Sequence, residues 1–141
     1  MIAVSISLKI PDNTAYTALV ALRRLGVDAE RVARSEILFF EDEDPEALAI
    51  RVMNDERLFN PNKHRLSVLD SSRPRPGEVW VLPLEGGRAT AWRLFDAKGL
   101  PVEGSVLQAA IERLLCNPAI EKAVTSSDGS EITDAIERNG A

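Results

Sequence analysis

The sequence predicts an α+β fold, with antiparallel strands carrying helices on one face. Three observations lead there. From Ile2 to Ile10, apolar residues alternate with small or polar ones, the period of a strand with one buried side. Segments of helical periodicity then recur along the chain, separated by extended ones. Finally, Glu56-Arg57-Leu58-Phe59-Asn60-Pro61 and Glu112-Arg113-Leu114-Leu115-Cys116-Asn117-Pro118 align on their prolines as two copies of Leu-x-Asn-Pro. A residue before proline is pushed away from helical dihedrals, so a helix should end near Asn60 and near Asn117. Asn also tolerates the left-handed conformation that closes a last turn. Each proline then launches a strand. The repetition points to two copies of one αβ unit, and chance recurrence of a common helix exit is the competing reading.

The elements follow in order. Ile2, Val4, Ile6, Leu8 and Ile10 form the buried side of the first strand. Pro11-Asp12-Asn13-Thr14 breaks it and offers helix caps. Ala15, Ala18, Leu19, Leu22 and Leu25 lie at helical spacing, with Arg23 and Arg24 in the last turn and Gly26 as the C′ residue. An extended piece over Asp28–Arg34 and a strand over Glu36–Glu41 follow, and Arg34-Ser35 is read as the hairpin between them. Glu41-Asp42-Glu43-Asp44 precedes Pro45. It is read as a solvated loop with its charge at a helix N-terminus rather than as a cation site. The second helix carries Leu48, Val52 and Phe59 and runs to the first Asn-Pro, and Arg65–Leu69 is the next strand. The unit over residues 1–72 therefore reads β-α-β-β-α-β, the ferredoxin-like arrangement.

Residues 73–77 form a Pro- and Arg-rich linker whose arginines keep it solvated. Glu78–Leu84 and Ala89–Phe95 flank Gly86-Gly87, a hairpin signal. That hairpin sets Val81 opposite Trp92 and Trp80 opposite Arg93, with Trp80 and Trp92 on opposite faces. Val106, Leu107, Ala110, Ile111 and Leu114 mark a helix, and Ala119–Thr125 a strand. Residues 78–125 are thus a partial second unit, β-β-α-β, and 126–141 a polar tail with one weak helical stripe of Ile132, Ala135 and Ile136.

Composition narrows the function. At 141 residues with 45% hydrophobic and 28% charged residues, the chain can build a core. A net charge of −5 with interspersed signs does not suggest a nucleic-acid surface. The lone Cys116 builds neither a disulfide nor a cysteine zinc site, which fits the cytoplasm. No leader pattern and no run of membrane-spanning length is read. His64 sits between Lys63 and Arg65 and is read as a solvated strand entry. Cys116 at a helix C-terminus feels the wrong end of the dipole for a thiolate nucleophile. Gly86-Gly87 lacks the Lys-Ser/Thr of a phosphate loop. No catalytic residue, metal site or cofactor is expected.

The first unit resembles the PurS family, the small subunit of bacterial formylglycinamidine ribonucleotide amidotransferase. The resemblance runs through Val4-Ser5-Ile6-Ser7-Leu8-Lys9, Ala18-Leu19-Val20-Ala21-Leu22, Leu25-Gly26, Ile37-Leu38-Phe39-Phe40-Glu41, Ala47 to Met53 and Leu58 with Asn60-Pro61. Gln108 to Val124 is similar to that family's last helix and strand. The family carries a longer Asp-Pro-x-Gly segment where this chain has Ile10-Pro11-Asp12-Asn13-Thr14, and Gly-Lys where it has Arg34-Ser35. The resemblance implies a non-catalytic accessory subunit of an ATP-dependent amidotransferase, self-associating or joining synthetase and glutaminase subunits in purine biosynthesis. Strands apolar on both sides, marked by Leu38, Phe40, Trp80 and Trp92, are the expected interface. The alternative is a ferredoxin-like regulatory module of the ACT type, binding an amino acid or nucleotide between units.

Overall fold

The structure, a computed structural model, describes residues 1–41 and 44–127. Its strands are β1 (Ile2–Leu8), β2 (Arg31–Phe40), β3 (His64–Val68), β4 (Glu78–Pro83), β5 (Ala89–Phe95) and β6 (Glu121–Thr125). Its helices are α1 (Asn13–Arg24), α2 (Pro45–Met53) and α3 (Gly104–Ala110), the last continuing into a π-helical turn over Ile111–Leu115. The chain is α+β: the strands make one antiparallel six-stranded sheet in the order β3-β1-β2-β5-β4-β6.

That order reads alike from both ends. In each half the unit's opening strand lies in the middle, and the strand after an Asn-Pro turn lies at the edge. The halves meet where β2 pairs with β5, from Arg31 opposite Phe95 to Ile37 opposite Ala89. The repeat is therefore structural, and the two turns share their hydrogen-bond pattern, with His64 in one standing where Glu121 stands in the other. The Asn60 N–H donates to His64 Nδ1 at 2.9 Å, and the Asn117 N–H to Glu121 Oε1 at 2.9 Å. Asn60 Oδ1 accepts from the Asn62 N–H and Asn117 Oδ1 from the Ala119 N–H, at 2.9 and 3.1 Å. The Asn60 carbonyl accepts the His64 N–H and the Asn117 carbonyl the Glu121 N–H, each at 2.8 Å. Neither Asn adopts a positive φ. Their role is to turn the chain through the side-chain oxygen, not through left-handed backbone.

Several sequence expectations are corrected. Arg34-Ser35 is no hairpin: both lie inside the continuous β2. Arg34 is held straight by Asp12, its Nε donating to Oδ2 at 3.0 Å and its Nη2 to Oδ1 at 3.3 Å. The first half is accordingly β-α-β-α-β, with a strand shared between two ladders in place of two strands. The α2 helix stops at Met53 rather than at Asn60-Pro61. There Asn54 Nδ2 donates back to the Ile50 carbonyl at 3.0 Å, and Asp55 Oδ1 accepts the Arg57 N–H at 3.0 Å, giving the backbone an alternative to helix. The β4–β5 connection spans Leu84–Arg88, with Gly86 at φ +100° and Gly87 at φ +110°. Pro83 has no N–H to extend the ladder. The register consequently shifts: Val79 opposes Trp92, Trp80 opposes Ala91, and Glu78 opposes Arg93. Arg93 stacks on Phe95, 5.2 Å from the ring centre.

Other expectations hold. Asp12 caps α1, accepting the Ala15 N–H at 3.1 Å, and Gly26 at φ +83° closes it. The Val27 N–H reaches the Leu22 carbonyl and the Gly26 N–H the Arg23 carbonyl, the paired bonds of a Schellman ending. Asp44 and Pro45 start α2, while Asp42 and Glu43 of the acidic run lie outside the described residues. The polar tail from residue 128 onward, with its stripe of Ile132, Ala135 and Ile136, lies outside them as well.

Opposed residues on neighbouring strands share a face, so the registers sort the core. On one face Val4, Ile6 and Leu38 pack under Leu48, Val52 and Phe59. On that same face Val79, Val81 and Leu94 pack under Leu22 of α1 and Leu107, Ala110, Ile111 and Leu115. All three helices therefore cover one side. The other side holds Ala3, Ile37, Trp80, Leu82, Ala89, Ala91 and Val124, all buried, and no described helix lies on it. The connection from β3 to β4 crosses it. Leu69 packs in that cluster, and Ser72 Oγ donates to the Met1 carbonyl at 3.1 Å. At the far corner Arg93 Nε donates to the Pro76 carbonyl at 3.1 Å. Pro74 between these anchors is buried. Both sides of the sheet are thus shielded, as strands apolar on both sides require.

Candidate functional site

Two surface features stand out on the helical side. The first is a polar cleft of about 140 Å³ where β1 and β2 part, lined by Ile6, Leu8, Asp12, Arg34, Glu36 and His64. Each charged group there has a partner. Asp12 and Arg34 pair with only 16% and 25% of their side chains exposed. Burial pushes the Asp12 carboxyl up, but the Arg34 guanidinium and the Ala15 and Thr14 N–H groups outweigh it, leaving the carboxyl below its ordinary value of 3.8. Glu36 accepts from Arg88 Nη1 at 2.7 Å.

His64 Nδ1 accepts the Asn60 N–H, which places any proton of the neutral ring on Nε2. Glu121 performs the same task in the second half, so the imidazole here is a turn-holding group. The sequence could not show this, because the partner of each side chain is a backbone N–H four residues earlier. Among the described residues no group of three or more His, Cys, Asp and Glu is placed to hold a metal ion.

Cys116 is half-buried just past the π-helical turn, where its N–H bonds the Ile111 carbonyl at 3.2 Å. Burial and then the Glu121 carboxylate push its thiol above 9.0. The thiolate a nucleophile needs is disfavoured.

The second feature is apolar. The outward side of α1 separates two shallow hollows. One, about 440 Å³, lies between Thr17, Ala18 and Ala21 and the side chains of Trp92, Leu114 and Leu115. The other, about 480 Å³, is bordered by Tyr16, Val20 and Leu25. Thr17 and Ala21 border both, so they make one strip across the helix. Tyr16 is 67% exposed and Leu114 41% exposed. Small residues in the middle with aromatic and aliphatic residues on the flanks give a ridge-and-groove relief. Such relief suits a packed partner better than a small ligand.

The four residues expected to form an interface do not share a surface. Leu38 is buried under α2 and Phe40 packs beside it. Arg51 lies over the Phe40 ring at 5.4 Å. Trp80 is fully buried on the opposite side, in contact with Phe39 at 5.7 Å between ring centres. Trp92 alone reaches the apolar strip. Sequence reasoning missed Tyr16, Val20 and Leu114. A usable signal was Tyr16 and Val20, four apart and off the stripe of buried Ala15 and Leu22 and half-buried Leu19. No protein-family model matches the chain, and no curated protein matches it. No helix among the described residues is long and apolar enough to cross a membrane.

Proposed function

We propose that this chain is a non-catalytic accessory subunit, built from a PurS-like unit and an incomplete second copy, that joins larger subunits of a purine-biosynthetic amidotransferase. The observation that carries the reading is the strip of Tyr16, Val20, Trp92 and Leu114 across α1. It is apolar and aromatic, with Tyr16 and Leu114 exposed and Val20 and Trp92 half-buried, while the charged groups of the neighbouring cleft are spent on one another. The β2–β5 ladder supplies inside one chain a pairing that PurS-like proteins would make between chains. The test mixes the purified chain with synthetase and glutaminase subunits and follows the particle by size exclusion with light scattering. A co-eluting complex that Tyr16→Asp dissolves is expected. A chain that stays monomeric and binds neither subunit refutes the reading.

A second reading, a small-molecule regulatory module, is favoured by the polar cleft between Asp12, Arg34 and His64. It requires thermal stabilisation by an amino acid or nucleotide, and a screen of both classes with no shift removes it.

A further inference from the structure

One corner of the helix-free side carries a positive charge excess, in a chain whose net charge is −5. The registers set Arg31 of β2 opposite Phe95 of β5, and Arg93 of β5 opposite Glu78 of β4. Residues two apart along a strand share a face, so Phe95, Arg93 and Ala91 stand on the side that holds Trp80. Both guanidiniums lie over the Phe95 ring, Arg31 at 4.0 Å and Arg93 at 5.2 Å from its centre. Arg75 joins them from the turn before β4. Three arginines therefore gather within the span of three neighbouring strands.

Among the described residues one carboxylate answers them. Glu78, 4% exposed, gives both its oxygens to Arg75: Oε1 accepts the Arg75 N–H at 2.9 Å, and Oε2 accepts from Nη2 at 3.1 Å. The nearby Glu30 is held by Arg23 at 3.1 Å, and Asp96 Oδ1 accepts the Lys98 and Leu100 N–H groups. Neither Arg31 nor Arg93 forms an ion pair among the described residues. Arg93 donates from Nε to the Pro76 carbonyl at 3.1 Å, which fixes its guanidinium and leaves the charge uncompensated. Burial and then Arg75 pull this guanidinium below its ordinary value, Glu78 opposes them, and Arg31 adds to them. The aromatic ring attracts each cation but neutralises neither.

We propose that this corner is an anion site for a dianionic phosphate group, held between the guanidiniums of Arg31 and Arg93 beside Phe95. A phosphate carries a charge of about −2 near neutral pH and offers its oxygens to guanidinium forks two at a time. Its charge matches the two cations left over once Glu78 has taken Arg75. A single carboxylate would neutralise only one of them. The floor is formed in advance, because the Phe95 ring and the Pro76 carbonyl already hold the guanidiniums, so little ordering accompanies binding. Arg31 is exposed and Arg93 half-buried, which leaves one fork open to an arriving ligand while the other is fixed. Free phosphate and the terminal group of a phosphate monoester share this chemistry.

Isothermal titration of the full chain with inorganic phosphate and with glycerol phosphate, at constant ionic strength, tests the site. Saturable binding of at least one of them, millimolar or tighter, is expected. Arg31→Gln should weaken it about tenfold or more without changing the melting temperature of the unliganded chain, and Arg31→Lys should restore part of the loss. Arg65→Gln removes an equal charge from exposed β3 at the far edge of the sheet and should leave binding as it was. Preference for free phosphate makes the ion itself the ligand, and equal or tighter binding of the ester makes the ligand a phosphorylated small molecule; both outcomes support the site. No saturable heat with millimolar phosphate or ester overturns the proposal, as does an Arg31→Gln chain that binds no more weakly than Arg65→Gln. A polyglutamate peptide that binds through Arg31 more tightly than either phosphate also overturns it, because an acidic protein segment would then be the occupant.

Discussion

Replacing Asp12 tests how one side chain holds the first helix to the central strand. Its Oδ1 caps α1 through the Ala15 N–H, and both its oxygens accept from Arg34 inside β2. Asp12→Ala removes a cap, for about 1 kcal/mol. It also strands Arg34, three-quarters buried, for a further 1–2 kcal/mol or so once solvent screening is allowed for. The total expected is about 2–3 kcal/mol. Asp12→Asn keeps a good cap and loses only the charge, so about 1–2 kcal/mol is expected.

The pH dependence separates the two parts. The folded carboxyl sits below 3.8, so its charge stabilises the fold above the unfolded value and that contribution is lost as pH falls through the folded one. Urea unfolding of the parent and both variants at pH 7 and again near pH 2.5 reads this directly. The gap between parent and Asp12→Asn should close at low pH. A gap unchanged at low pH, or an alanine variant within about 0.5 kcal/mol of the parent at pH 7, would refute the reasoning.

Further outcomes follow from the geometry. Gly77→Ala should cost more than about 1 kcal/mol, because Gly77 has φ +73° and an added Cβ would meet Pro101 Cβ at 2.7 Å and the Leu94 carbonyl at 3.0 Å; thermal melts measure it. Asn60→Ala and Asn117→Ala each remove one side-chain turn bond, and unfolding midpoints should fall alike, by about 1 kcal/mol each. Leu94→Ala empties a fully buried site between α1 and α3 and should cost about 2–5 kcal/mol by urea unfolding. Cys116 should alkylate more slowly with iodoacetamide than a free cysteine at pH 8, its rate midpoint lying above 9.0 because burial and Glu121 oppose the thiolate; normal reactivity in the folded chain would contradict the packing.

Local chemistry was legible because its causes are local. Gly26 ends α1 and Asp44-Pro45 starts α2, since caps depend on residues within one turn. The two Leu-x-Asn-Pro copies announced matching exits for the same reason, although the asparagines act through their side chains and not through left-handed backbone. The unbroken apolar run Ile37-Leu38-Phe39-Phe40 announced a strand shielded on both sides, and its residues do divide between the two faces.

What sequence patterns could not decide were partnerships across the chain. Whether Arg34-Ser35 bends or runs straight depends on Asp12, twenty-two residues earlier, and on β5, more than fifty residues later. The shift that sets Trp80 over Ala91 depends on where Pro83 ends the ladder. The exposed strip on α1 exists because α3 and Trp92 arrive beside it from the second half. Periodicity reports which residues avoid water, and only the folded chain selects which of them meet.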